Sequence, residues 1–225
     1  MINTSRLDKI SLAEQAYNQI RGLILDQVIE PDHAIGIDAI ALKLGVSQTP
    51  IREALARLEG DGLVVRLRSG RYNSAPKMSR KAYGDLYQIR LLLEPAASAL
   101  AAARRSDAAA NLLEQSVRQL ASAGTGTNSL AFVNFVDADS LFHTTISNAC
   151  GNDFISTSLK QLQPNHRISP IYRDRGVFDA DSVIREHARI AQAIKAGDAA
   201  GAESAMKAHV ERSRDDILAW LDHQH

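Results

Sequence analysis

Asp139 and His143 stand one helical turn apart, in a stretch whose apolar positions are Phe132, Phe135, Val136, Ile146 and Cys150. Their i, i+4 spacing puts both polar side chains on the face that packs inward, and a carboxylate and an imidazole so placed can share one metal ion. Two more histidines point the same way: His187 between Ile184 and Ala191, and His209 beside Met206 and Val210. Burying three imidazoles and a carboxylate without partners is costly, and one shared divalent cation satisfies all four. The alternative is that Asp139 and His143 bond to each other while the other two are core histidines with ordinary partners. The donor set suits Zn²⁺, with Ni²⁺ or Mn²⁺ fitting where waters complete an octahedron. His33, His166, His223 and His225 fall on loops, at a helix edge or at the tail, and are given no metal role.

A second set could read nucleic acid. Gln48, Thr49, Arg52 and Glu53 occupy the polar side of a helix start whose apolar positions are Ile51, Ala54, Leu55 and Leu58. Glutamine can bond adenine through two contacts, arginine can bond guanine, and threonine can touch a thymine methyl or a phosphate. A helix N-terminus itself attracts phosphate. Arg66, Arg68 and Arg71 follow on a turn-rich segment, where basic side chains suit the DNA backbone or minor groove. The plainer alternative is a capped amphipathic helix with a solvated basic face.

The elements that must carry these residues follow from periodicity. Leu12, Ala16, Ile20, Leu23, Ile24 and Val28 predict a helix over 12–29 with Ser11 as its cap, ended by Glu30-Pro31-Asp32. A short helix over 38–44 ends at Gly45, and Ser47 caps a third helix with Pro50 in its first turn. Leu63–Leu67 and Arg71–Ser74 alternate as strands around Arg68-Ser69-Gly70, a β-hairpin. Helix, short helix, tight turn, helix and hairpin is the order of a winged helix-turn-helix. From Ser79 the chain turns Ala-rich and helical, with six helices predicted near 80–104, 107–122, 130–149, 153–173, 182–195 and 198–222. The expected fold is therefore mainly α: a winged helix-turn-helix over 1–75, a linker over 76–79, and an all-α antiparallel bundle over 80–225.

Composition narrows the function classes. The 225 residues carry 26 basic and 26 acidic side chains, so a basic total does not announce a nucleic-acid binder. The basic excess is local: Arg52, Arg57, Arg66, Arg68, Arg71 and Lys77 against Glu53, Glu59 and Asp61 between residues 47 and 77. No apolar run reaches the length of a membrane span, the first residues lack the apolar core of a secretory signal, and a single cysteine, Cys150, excludes a disulfide framework. These features lead to the expectation of a cytoplasmic protein without membrane contact.

The segment from Leu44-Gly45-Val46-Ser47-Gln48-Thr49-Pro50-Ile51-Arg52-Glu53-Ala54-Leu55 to Gly60-Asp61-Gly62-Leu63-Val64 closely resembles the signature of the GntR family of transcription regulators. Asp139-Ser140-Leu141-Phe142-His143, Ile146, Ala149, Gly151-Asn152, Glu186-His187 and Met206-x-x-His209 resemble the FCD ligand-binding domain of its FadR subfamily. The resemblance spans about residues 10–220. It implies double-stranded DNA as a partner, bound by a homodimer on a near-palindromic operator, and a regulator that is not an enzyme, with repression relieved by effector the commoner arrangement. DNA contacts carry over to Thr49, Arg52 and the wing glycine Gly70, with Arg71 beside it. Gln48 stands where the family usually has a guanine-reading arginine, and Asp38 where some members have another DNA-contacting arginine, so the operator should be read differently at the Gln48 position. The FCD resemblance carries the metal positions to Asp139, His143, His187 and His209. It also implies a small organic acid docking its carboxylate at the metal, opposite a cation. Arg90 is the first candidate for that cation and Arg167 the second, although Arg90 can equally pair with Glu94 at i+4. Six bundle helices point to the VanR-like branch. Two rival readings remain: a regulator whose metal is purely structural, without an effector, and a metal-dependent hydrolase with a DNA-binding relic. The hydrolase lacks a nominated general base, because His187 facing inward turns Glu186 sideways or outward.

Overall fold

The computed structural model describes residues 11–25, 28–123, 129–167 and 179–223, with side chains at 129–133 and 163–167 outside the description. The chain forms two compact units, Met1–Lys77 and Met78–His225.

The first unit contains α1 (Leu12–Leu25), β1 (Ala34–Ile35), α2 (Ile37–Leu44), α3 (Gln48–Gly60), β2 (Val64–Arg66) and β3 (Tyr72–Ser74). Its core is built where the sequence placed apolar residues at helical spacing: Ala16, Ile20 and Ile24 of α1 face Ile51, Ala54, Leu55 and Leu58 of α3. Ser11 Oγ accepts from the Glu14 amide and caps α1. Gly45, at φ 66°, ends α2, its amide and that of Val46 closing onto the Leu42 and Ala41 carbonyls. This left-handed residue lets α3 leave α2 within two residues. Ser47 sits at the cap position of α3 but makes no capping bond, a departure from the expected role.

The wing holds one strand more than the expected hairpin. β3 is central, pairing antiparallel with β2 (Val64 opposite Ser74, Arg66 opposite Tyr72) and with β1 (Ala34 opposite Asn73). Ser74 ties the sheet together: its amide donates to the His33 carbonyl, and its buried hydroxyl lies 2.5 Å from the Glu30 carbonyl. Gly70 has φ 81° at the tip, where its amide donates to the Leu67 carbonyl.

The second unit contains α4 (Arg80–Arg104), α5 (Asp107–Ser122), α6 (Ser129–Ala149), α7 (Asp153–Arg167), α8 (Ala180–Ala196) and α9 (Ala199–Asp222). Ser79, Ser106, Asp179 and Asp198 each cap the helix that follows through a side-chain oxygen. α9 packs along α4, and α6 lies between α4, α5 and α7. Phe142, Ile146, Cys150, Ile190, Ile194, Met206 and Val210 form the centre of the core, so Cys150 is core filler. The six helices seen are those among the described residues. The assignment to a six-helix branch turns on residues 168–178, which lie outside them.

Candidate metal centre and DNA-reading helix

Three helices bring the inward-facing polar residues to one point. α6 supplies Asp139 and His143, α8 supplies His187 and α9 supplies His209, all buried. One ring nitrogen from each histidine lies within 4.8 Å of the others. His187 Nε2 is 3.4 Å from His209 Nε2, and Asp139 Oδ1 is 3.5 Å from His187 Nε2 and 3.8 Å from His143 Nε2. A tetrahedral ion with metal–nitrogen bonds near 2 Å separates its donors by roughly 3.4 Å along each edge. The His187–His209 and Asp139–His187 spacings are close to that edge, and the three histidines could hold a divalent ion. His143 Nε2 and Asp139 Oδ1 are too far apart for a hydrogen bond between these two atoms, and the carboxylate lies at the edge of the three-histidine cluster.

The outer nitrogens are held by carboxylates that sequence reasoning did not assign. His143 Nδ1 lies 2.7 Å from Glu94 Oε2, and Glu94 in turn takes Arg90 Nε on its other oxygen at 2.5 Å. His209 Nδ1 lies 2.8 Å from Glu186 Oε2, and Glu186 receives Arg212 Nε at 2.5 Å and Nη2 at 2.8 Å. Each carboxylate orients a ring so that its other nitrogen faces the centre. Glu186 is thus the backing group of His209, a contact to the residue 23 places later rather than to its neighbour. Its sequence signal was faint: the i, i+3 pair His209 and Arg212 facing a glutamate. His187 is held differently, stacked on Phe142 with ring centroids 4.0 Å apart, and its Nδ1 is buried without a hydrogen-bond partner among the described residues.

These contacts set the charge states. Burial pushes the Glu94 carboxyl up, but Arg90 and His143 outweigh it and hold the group well below the usual range. Burial likewise raises Glu186, while His209 and Arg212 bring it down to about 2. Burial lowers His143, and Glu94 more than reverses that. Burial, reinforced by the neighbouring His209 and His143, takes His187 well below its ordinary value and favours its neutral ring. His209 is lowered by burial, partly offset by Glu186.

A cavity of about 400 Å³, counted out to its open mouth, reaches this cluster and is lined by Arg90, Glu94, Asp139, Ser140, His143, Leu159 and Leu162. Arg90 makes the expected i, i+4 pair with Glu94, and its guanidinium lies 4.8 Å from the Tyr87 ring centre. Its Nη1 nonetheless is buried without a hydrogen-bond partner among the described residues. Pairing with Glu94 and lining the cavity are therefore both true of Arg90. Arg167 ends α7, with its side chain outside the described residues.

In the first unit Gln48, Thr49, Arg52 and Glu53 are exposed along the start of α3, and Arg71 is exposed beside Gly70 on the wing. Gln48 Nε2 donates to Asp38 Oδ1 at 2.5 Å, and Arg52 Nη2 donates to Gln48 Oε1 at 3.3 Å.

Comparison with known proteins decides the family. The description "Bacterial regulatory proteins, gntR family" matches residues 12–72, and the FCD domain matches residues 85–212. The chain belongs to the GntR family, with an FCD domain. This regulator is 27% identical over 212 residues to the uncharacterized HTH-type transcriptional regulator YdhC of Bacillus subtilis, covering 93% of this chain and 87% of the relative. It is 25% identical to the HTH-type transcriptional regulator LutR of the same organism, covering 85% and 94%. The solved Escherichia coli McbR/YncC superposes with a TM-score of 0.68 at 20% identity, covering 96% of this chain and 99% of that one, a likeness of fold. The relatives are transcription regulators, not enzymes. This chain is a DNA-binding transcription regulator, and among its described residues no helix is long and apolar enough to cross a membrane.

Proposed function

We propose that this regulator senses a small carboxylate at a divalent metal held by Asp139, His143, His187 and His209, and that occupancy of this site sets its affinity for an operator. The observation that carries the reading is the clustering of His143, His187 and His209 within 4.8 Å of one another, with Asp139 within 4 Å of two of them, beside a cavity. When bound, Zn²⁺, or Ni²⁺ or Mn²⁺, would offer a positive, partly open coordination sphere to a carboxylate oxygen. Arg90 Nη1 is the protein group suited to the acid's second oxygen, because a guanidinium grips a carboxylate through paired N–H donors. Leu159 and Leu162 bound the cavity for a short apolar body. Glu94 couples the two halves, since it orients both Arg90 and His143.

At the other end, Thr49, Arg52 and Gln48 on α3 would enter the major groove, with Gly70 and Arg71 on the wing along the backbone. A homodimer on a near-palindromic operator belongs to the same reading, because two-fold symmetry in protein and DNA must match, and a cytoplasmic location goes with a DNA-binding regulator. Repression relieved by effector is the arrangement adopted. The acid acts only if it binds one arrangement of the dimer better than another.

A thermal-shift screen of hydroxy acids, sugar acids, dicarboxylates and aromatic acids, with and without chelator, tests the sensor. An effector raises stability in a concentration-dependent way, and the rise disappears in His143→Ala and in chelator. A full response in chelator-treated protein sinks the metal-linked reading. Unfolding on chelation alone supports a metal that is purely structural.

A further inference from the structure

On the first unit, three exposed side chains form a hydrogen-bonded chain across the turn between α2 and α3. Asp38 lies in the first turn of α2, Gln48 opens α3, and Arg52 follows one turn later. Asp38 Oδ1 accepts from Gln48 Nε2, and Gln48 Oε1 accepts from Arg52 Nη2. A carboxylate only accepts and a guanidinium only donates, so the amide has one permitted orientation. Flipping it would set oxygen against carboxylate at one end and N–H against N–H at the other.

We propose that Asp38 is a positioning residue for base readout: it fixes the Gln48 amide so that this regulator reads adenine where Gln48 meets the major groove. The inference rests on the reading of α3 as the groove-entering helix. After both internal bonds are made, Gln48 keeps one N–H and one lone pair in the plane of its amide. An adenine edge offers the matching acceptor and donor, N7 and the N6 amino group. A guanine edge offers two acceptors, N7 and O6. A free glutamine could turn its NH₂ toward them, but Asp38 already occupies one of its two hydrogens. Arg52 gives one Nη2 hydrogen to Gln48 and keeps its other donors for a neighbouring guanine. The carboxylate also has a general effect: a negative charge at a DNA-facing surface repels phosphates and lowers affinity for every sequence. Asp38 thus trades affinity for discrimination.

Selection from a randomised DNA library at one fixed salt concentration, using the full-length protein, tests this. Wild type, Asp38→Ala, Asp38→Asn, Gln48→Ala and Arg52→Ala are compared, each checked for native circular dichroism. The position at which Gln48→Ala loses its preference identifies the base that Gln48 reads. Wild type is expected to favour adenine over guanine there by about tenfold, the order of discrimination that one bidentate contact supplies. Asp38→Ala should bind DNA more tightly overall yet discriminate less than about twofold at that position. Asp38→Asn, which keeps an acceptor oxygen, should restore part of the preference. The proposal is overturned if Asp38→Ala keeps the wild-type ratio while its overall affinity rises, for then Asp38 is only a surface charge. It is equally overturned if wild type prefers guanine at that position. The underlying reading of α3 fails separately, if Arg52→Ala and Gln48→Ala both bind with unchanged affinity and preference.

Discussion

Glu186 illustrates how a single carboxylate can govern a site without belonging to its donor set. It holds His209 through Nδ1 and is itself clamped by Arg212, half-exposed at the edge of the cluster. Glu186→Gln keeps an acceptor but removes the charge. Replacing such a backing group typically weakens metal affinity about 10- to 100-fold. That loss is the expected outcome, read by competition with a metal-sensitive chelating dye, with circular dichroism unchanged. Glu94→Gln should be harsher, because it leaves the buried Arg90 without its counter-charge. Breaking a buried pair costs about 3–5 kcal/mol, so a urea midpoint well below that of Glu186→Gln is expected. Equal stability of the two variants would contradict the burial difference on which this rests.

Among the elements, the caps give a direct contrast. Ser106 Oγ accepts from the Ala109 amide at the start of α5, whereas Ser47 makes no such bond at the start of α3. Ser106→Ala should cost about 1 kcal/mol. Ser47→Ala should fall within roughly 0.5 kcal/mol of wild type, both measured by urea denaturation of the full chain. The same contrast marks what a sequence discloses. The helix α3, its apolar stripe and the Gly45 turn were legible because periodicity and a left-handed glycine are local facts. The clustering of His143, His187 and His209 was legible because burying a polar residue on an apolar stripe demands a partner somewhere. β1 was not, because two residues with one buried side chain, Ile35, carry no period, and its pairing depends on Asn73 and Tyr72 far along the chain. Glu94 was read as a partner of Arg90, which it is, but its second role depends on His143, 49 residues later on another helix. Ser47 had the right residue type and position, and only the rotamer chosen in the folded chain decides whether its hydroxyl turns back. Such side-chain choices are settled by packing, which no spacing rule encodes.

For the whole molecule, two compact units make stability divisible. The donors all lie in the second, so metal removal should lower the melting temperature of that unit and leave the first unchanged, seen as separation of one calorimetric transition into two. A single transition that shifts as a block would mean the units unfold together. Chelated protein should still retain operator while ceasing to respond to the acid, measured by fluorescence anisotropy with labelled DNA. The shared residue Glu94 carries a further consequence, in the arithmetic of charge. With neutral imidazoles, the groups around the cavity, Arg90, Glu94 and Asp139, sum to minus one, and Glu186 and Arg212 cancel behind them. A divalent ion reverses that sum to plus one. In the loaded cage, where the imidazoles are neutral ligands, a single carboxylate completes the neutralisation. A second carboxylate on the same acid would overshoot, unless it reached another cation. On the proposed reading, metal and monoanion form one electroneutral unit, and linkage then requires each to tighten the binding of the other by the same factor.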